Sequence, residues 1–532
     1  MIRKLTYLLT IASALLAFQV KAQLTVSGAQ LFIQSGAVIT VQGDVTGNTD
    51  ILGPGKILLQ GSVNQNVNMN GFTIPALEIN NAAGATLTGN TRIGTSLTFT
   101  AGKIKTANFN LTLANVATFS GAGTSKFIET TGTGQVFKEI TANISSNEIP
   151  VGAGTTYRPA FLTTSGTYSS AKIGVRVLAV ADPNRPPKLS DYINAYWPIT
   201  KTGITGTVTV AGQYVDPDLT TGAEANIRGY FFNGTDWSST SETHNTSTNQ
   251  ISAPITTASG DLSALDKFDL LKGKVFLQAV YNTSTGVMSD ALRTPTNIIP
   301  LSDPYRTAPY NTSFTHVANA ITEVAAGSVF GNQALTNDNI VDWVFLELRN
   351  TTVSPGNLVL QTRSALVQRD GDIVDIDGVS PVTFNNVAST NYVIAVRHRN
   401  HLGLSTDPST YKPALGETKS TASLVDFTTQ SDPNLYGTSA YLVASDGKNV
   451  LWGGNANSNG TTSFNGLNND KGYILSILGN NSGLILSEVY SSGDVNMNRS
   501  VGFNGLNNDK GYILTTVLGN NSGLSRTQSL PQ

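Results

Sequence analysis

Ala37-Val38-Ile39-Thr40-Val41, Ile57-Leu58-Leu59, Leu77-Glu78-Ile79, Leu97-Thr98-Phe99 and Leu111-Thr112-Leu113 follow one another with turn residues between them. Runs this short, with apolar residues at alternate positions, suit strands with one buried face, because successive side chains of a strand point to opposite sides. Leu24-Thr25-Val26 and Leu31-Phe32-Ile33 open the series. Ser35-Gly36 and Ala83-Gly84 supply turns, and Asn80, Asn81, Asn108 and Asn110 supply polar corners. A spacing of roughly 7 to 20 residues predicts the coils of a parallel β-solenoid over residues 23–125, each rung stacking on the last to build one continuous core. A sandwich would read almost the same way.

Working outward, the composition keeps this texture. With 51 glycines, only 13% charged residues and abundant Thr, Ser and Asn, the chain is predicted to be all-β, built of short strands joined by tight turns. It is too long for one hydrophobic core. Residues 126–298 read as a β-sandwich-like domain, with turns at Pro150 and Pro159 and strands at 171–180, 207–214, 227–232 and 275–281. Tyr196 and Trp197 are its expected core aromatics. A Pro-, Ser-, Thr- and Asn-rich stretch at 294–311 marks the next boundary, and residues 299–446 read as a second β-sandwich-like domain. In its runs at 340–349 and 392–398 polar residues alternate with apolar ones, which predicts strands with one wet face.

Upstream of the solenoid, Arg3 and Lys4 precede an apolar run at residues 8–18, and Val20 and Ala22 stand at positions −3 and −1 of a cleavage before Gln23. This is the order of a signal peptide, so residues 1–22 are expected to be a leader and the mature chain to be exported, extracellular or at the cell surface. The apolar run is short for a membrane span of about 20 residues. Taking Arg3, Lys4 and Lys21 from 33 basic residues against 35 acidic ones moves the formal charge from −2 to −5, and no basic footprint for nucleic acid remains. The absence of cysteine excludes disulfides, thiolate catalysis and Cys-ligated metal.

The C-terminal region repeats itself. The twelve residues from Phe464 to Leu475 return unchanged from Phe503 to Leu514, and the seven from Leu478 to Leu484 return from Leu518 to Leu524. Ahead of each block stands an oxygen-rich run, Asn455, Asn457 and Asn459 before Gly460, and Asp494, Asn496 and Asn498 before Arg499. Side-chain oxygens at positions 1, 3 and 5 of a tight loop are how a hard cation such as Ca²⁺ is wrapped. Asp470 and Asp509 could close each shell if the chain folds back, with Asn469 and Asn508 as neutral helpers. With one or two carboxylates per loop the expected Ca²⁺ is weakly held and structural, on the order of 10⁻⁴ to 10⁻³ M. The same residues would also serve as a pair of Asn-Gly turns that bind nothing.

This tail resembles the dockerin-like calcium-loop repeats of secreted Bacteroidota proteins, in which an acidic, Asn-containing loop is followed by an aromatic, a Gly and an Asn-Asp pair. The matching positions are Asp494, Asn496, Asn498, Phe503, Gly505, Asn508 and Asp509, and again Asn455, Asn457, Asn459, Phe464, Gly466, Asn469 and Asp470. Arg499 stands where Gly is usual, and Asn often stands where Asp is usual. Together with Asp342 to Arg349, Leu366 to Asp375 and Val396 to His401, residues 299–524 resemble haemagglutinin-like or adhesin-like surface proteins. The resemblance implies two calcium-loop repeats at 447–524, a short tail at 525–532, and an exported protein associated with the outer membrane or secreted, with no reaction attached. A sorting domain is not evident after Gly523.

Other candidate sites are weaker. His398 and His401, three apart beside Arg397 and Arg399, read as a polar strand edge unless the strand ends in a turn that brings both rings together. Asp370, Asp372, Asp375 and Asp377 could converge for Ca²⁺ or for glycosidase-type acid/base chemistry, but suit solvated turns better. There is no phosphate-binding Gly loop, nucleophile elbow or zinc-helix motif. The sequence thus points to a non-enzymatic adhesion or carbohydrate- or matrix-binding protein, with host or matrix glycans or surface proteins as partners. A polysaccharide-cleaving enzyme and a dockerin-like assembly module are the alternatives.

Overall fold

The computed structural model describes residues 22–531 apart from 131, 187, 188, 190, 221–223, 240–243, 332–334, 352–357, 388–390 and 432. The leader expected at 1–22 lies, except for Ala22, outside the described residues. The chain forms two compact units, one of Met1–Asp182, Ile193–Asp218 and Thr240–Ser263, the other of Pro183–Tyr192, Leu219–Ser239 and Ala264–Gln532. It is all-β apart from short helices, and among the described residues no helix is long and apolar enough to cross a membrane.

The first unit opens as a β-solenoid. Ile57 stacks on Leu77 and Leu77 on Leu97, while Leu59 stacks on Ile79 and Ile79 on Phe99, all in parallel register. On the other wall Val45 stacks on Val67 and Val67 on Leu87. These side chains are at most 2% exposed, so the alternation read from the sequence becomes two apolar ladders, one on each wall. At the corners the Asn residues bond upward: Asn90 Oδ1 accepts Asn110 N at 2.8 Å, and Asn110 Oδ1 accepts Gln135 N at 3.0 Å. Parallel stacking runs past residue 125 to the pairing of Ile128 with Val151. Beyond it the sheet turns antiparallel, with Ala160–Val175 and Tyr192–Gln213 paired from Ala160↔Gly212 to Val175↔Ile199. Trp197 is fully buried there, and Tyr196 is nearly so.

The second unit centres on a mixed sheet of eight strands, in which Ile340–Arg349 lies between Val359–Gln368 and Val393–His398. Both faces of Ile340–Arg349 are buried, which corrects the expectation of a wet face. Its polar residues face partners in place of solvent: Glu347 accepts both Arg349 and Arg397, and Arg349 reaches the Pro531 carbonyl. Alternation records which side chains share a face; it does not say that the face meets water. Large sheets of this kind are consistent with the sandwich-like domains expected.

Candidate functional site

The two C-terminal repeats fold as reciprocal copies. The strand Thr461–Ser463 after the first loop pairs with Ser525–Thr527 after the second repeat, and Ser500–Gly502 after the second loop pairs with Ile485–Ser487 after the first repeat. Asn465 Nδ2 donates to the Ser522 carbonyl and Asn504 Nδ2 to the Ser482 carbonyl, both at 3.1 Å. The repeats do not stand apart as a separate module, because Leu402 of the large sheet joins Trp452, Ile474, Val495, Val501 and Ile513 in their core.

Each loop does fold back onto its aspartate. Asp470 accepts Ser463 N at 2.8 Å and Asn457 N at 3.4 Å; Asp509 accepts Gly502 N at 2.8 Å and Val495 N at 2.9 Å. Asn469 and Asn508 are helix N-caps, their side chains accepting Gly472 N and Gly511 N. Asn457 and Asn459 both aim Nδ2 at the Asn468 carbonyl, and Asn496 and Asn498 do the same at Asn507. In the second loop Asp494 accepts Asn498 N and Arg499 N; at the equivalent place in the first, Asn455 Oδ1 is buried without a partner. Arg499 keeps the positive φ of the glycine it replaces, at 76°, and donates to the carbonyls of Ala291, Thr294 and Thr296. Burial pushes Asp494 up to about 6, Asp470 to about 7 and Asp509 to about 8, since their main-chain donors only partly replace water.

Beside the loops lie two equivalent hollows of about 510 and 480 Å³. The first is lined by Asn457, Asn459, Asn468 and Tyr473, the second by Asn496, Asn498, Asn507 and Tyr512. At the loop tips Leu467 and Leu506 are each 93% exposed.

His398 and His401 are 1% exposed, so the expected polar edge is corrected: the strand ends in a turn that pairs them across a hairpin, deep in the unit. Asp342 Oδ2 takes His398 Nε2 at 3.1 Å and Arg399 Nε at 2.9 Å, and its Oδ1 takes the Tyr490 hydroxyl at 2.7 Å. His401 Nε2 accepts Ala279 N, so its proton sits on Nδ1, which faces His398 Nδ1 at 3.1 Å. Burial lowers both imidazole pKa values, helped at His401 by His398 and Arg399. Burial works to raise Asp342, but Arg399 and His398 hold its carboxyl well below the usual range. Arg399 and Asn400 then grip the tail: Arg399 Nη1 donates to the Ser491 carbonyl, Asn400 Nδ2 to the Asp494 carbonyl, and the Arg399 carbonyl accepts Ser458 Oγ. This run is a socket for the repeats.

The aspartates at 370–377 do not act as one group. Asp375 is fully buried, accepting Arg363, Ile376 N and Thr383 N, in place of the solvated turn expected; Asp372 pairs with Lys274, and Asp377 accepts Val379 N and Ser380 N in a turn.

Among the described residues one cluster of His and carboxylate side chains brings ligand atoms within 4.8 Å of one another: Asp303, His316 and Glu323. The sequence carried no spacing signature for it. Asp303 caps the turn Pro304–Arg306, with Oδ1 accepting Tyr305 N, while Asp303 N bonds the Glu323 carbonyl and so sets the two carboxylates side by side. His316 is pinned to the neighbouring strand through Thr362 Oγ1, 3.1 Å from its Nδ1. Arg363 and Asn319 hold Glu323 Oε1 at 3.1 and 2.6 Å. Both also line an open hollow of about 580 Å³ with Gln361 and Tyr392. This buried cluster is capable of coordinating a metal ion.

No family model, curated protein or solved structure matches the chain.

Proposed function

We propose that the chain is an exported, non-enzymatic protein that binds carbohydrate at a cell surface or in a matrix, using the two equivalent hollows of its C-terminal repeats. One observation carries this reading: the same amide-rich lining, with a tyrosine, occurs twice in reciprocal copies. Carboxamides donate and accept at once, which suits sugar hydroxyls, and two equivalent sites raise avidity for a repeating polymer without any new contact. The groups that could do chemistry elsewhere favour binding over catalysis, because Asp342, His398, His401 and Asp375 are consumed in buried bonds.

Ca²⁺ belongs to the same reading as a weak structural ion. The loop-closing Asp470 and Asp509, the buried Asp494 and the unpartnered Asn455 Oδ1 favour it. Binding would require the amides now aimed at the Asn468 and Asn507 carbonyls to turn their oxygens inward, which keeps the affinity low.

The test is a glycan array probed with residues 23–532, beside the variant Asn459→Ala/Asn498→Ala. Binding by the parent and its loss in the variant is expected; no glycan above background removes the reading. A docking role is the second reading, favoured by Leu467 and Leu506, which are fully presented at the same repeat position. A pull-down that recovers the same partner with Leu467→Ser/Leu506→Ser as with the parent would dismiss it.

A further inference from the structure

We propose that Asp303, His316 and Glu323 form a site for one divalent first-row transition metal ion, of the Zn²⁺ or Mn²⁺ class, separate from the C-terminal loops. His316 Nδ1 stands 3.1 Å from Thr362 Oγ1 and 3.5 Å from Asn319 Nδ2, and Thr362 Oγ1 also reaches the Val317 carbonyl at 3.4 Å; in the tautomer in which Nδ1 donates to Thr362, the imidazole is neutral and Nε2 is unprotonated. Nε2 then presents a bare lone pair to Asp303 Oδ2 at 2.9 Å. Two lone pairs this close repel unless a proton or a cation lies between them. A proton would make an N–H···O bond, yet neither atom has a hydrogen-bond partner of acceptable geometry, although the Asp303 side chain is 0% and that of His316 7% exposed.

Donor atoms that converge on a common point are arranged differently. With metal bonds of about 2.1 Å, two ligands stand about 3.0 Å apart at the roughly 90° of an octahedral shell and about 3.4 Å apart in a tetrahedral one, so the 2.9 Å between His316 Nε2 and Asp303 Oδ2 sits closer to the octahedral spacing. Glu323 supplies the third ligand, held from behind by Arg363 and Asn319, as outer-shell donors hold metal-bound carboxylates; Thr362 does the same for His316. The imidazole selects against Mg²⁺ and Ca²⁺, which prefer all-oxygen shells. Arg306 also adjoins the cluster, with Nη2 held by the Asn319 and Ile321 carbonyls and 3.3 Å from Glu323 Oε2, while its Nε, 3.2 Å from Asp303 Oδ2, makes no hydrogen bond. Counting Asp375 beyond Arg363, three carboxylates face two guanidiniums, and one negative charge is left for a further cation. The ion would tie together the irregular segment bearing Asp303, His316 and Glu323, which Thr362 and Arg363 of the strand Val359–Gln368 hold from behind.

The experiment uses residues 23–532 freed of metal with a chelator, titrated with Zn²⁺ and separately with Mn²⁺, with bound metal counted by mass spectrometry after dialysis. One equivalent should be retained by the parent and by Asp494→Asn/Asp509→Asn, and lost in His316→Ala and in Asp303→Asn. Should those variants not fold, selective ¹⁵N labelling of the four histidines of the parent decides the matter, because metal must shift the His316 Nε2 resonance. No retained metal, or a His316 protonated on both nitrogens and indifferent to Zn²⁺, would overturn the assignment.

Discussion

Replacing Asp342 by Asn should loosen the whole C-terminal tail. Asp342, Arg399 and the His398 side chain are all 0% exposed, and the carboxylate serves Arg399, His398, Tyr490 and Trp343 N at once. Asn keeps one acceptor and turns an NH₂ toward donors, leaving the Arg399 charge buried without a counter-ion. Breaking a buried pair in this way costs about 3–5 kcal/mol. The second unit holds roughly 300 residues and unfolds with about 0.6 kcal/mol/K of entropy, so Tm should fall by about 5–8 °C. Because Arg399 carries the tail through Ser491, hydrogen exchange should rise first near that segment. Adding Arg399→Met removes the orphaned charge and should recover part of the loss. A single variant melting within about 1 °C of the parent, or a double variant worse than the single, would refute this reasoning.

Other outcomes follow from the same geometry. Asp470, Asp494 and Asp509 titrate higher folded than unfolded, so their contribution is fully present below about pH 4 and is lost progressively as pH rises from there, ending at about 6 for Asp494, about 7 for Asp470 and about 8 for Asp509; Tm should fall between about pH 4 and 8, millimolar Ca²⁺ should restore it, and a rising Tm would contradict the assignment. Gly102 has φ +82°, and a Cβ there would lie 1.8 Å from the Asn81 carbonyl oxygen; Gly102→Ala should cost about 2 kcal/mol or more in urea unfolding of the solenoid, and an unchanged midpoint would show that the rungs are looser than described. Lys138, 4% exposed, gives its ammonium to the carbonyls of Ala114, Asn115 and Ala117, so Lys138→Met should cost about 2–3 kcal/mol by the same measurement.

The solenoid was legible in the sequence because its core is written in consecutive short runs, and Ile57, Leu77 and Leu97 needed no distant partner to be read as one ladder. The repeats were legible for the same reason, as was the closure of each loop on Asp470 and Asp509. What escaped was whatever depends on contacts between remote segments. His398 and His401 look like a solvated edge until Asp342, from a strand more than fifty residues earlier, and Tyr490, almost ninety residues later, enclose them. Asp375 looks like a turn residue until Arg363 covers it. The cluster of Asp303, His316 and Glu323 sits on an irregular segment with no periodic spacing, and its members are brought together by the backbone bond from Asp303 to Glu323, by the Thr362 anchor and by the Asn319 and Arg363 side chains.

The central claim is binding without turnover, and it is tested most directly by incubating residues 23–532 with immobilised polysaccharides and intact cells while bound protein and released sugar are measured in the same wells. Saturable binding that Asn459→Ala/Asn498→Ala abolishes, with no new reducing ends or unsaturated sugars, is the predicted result. Product release, or no binding to any surface by a folded chain, would contradict it.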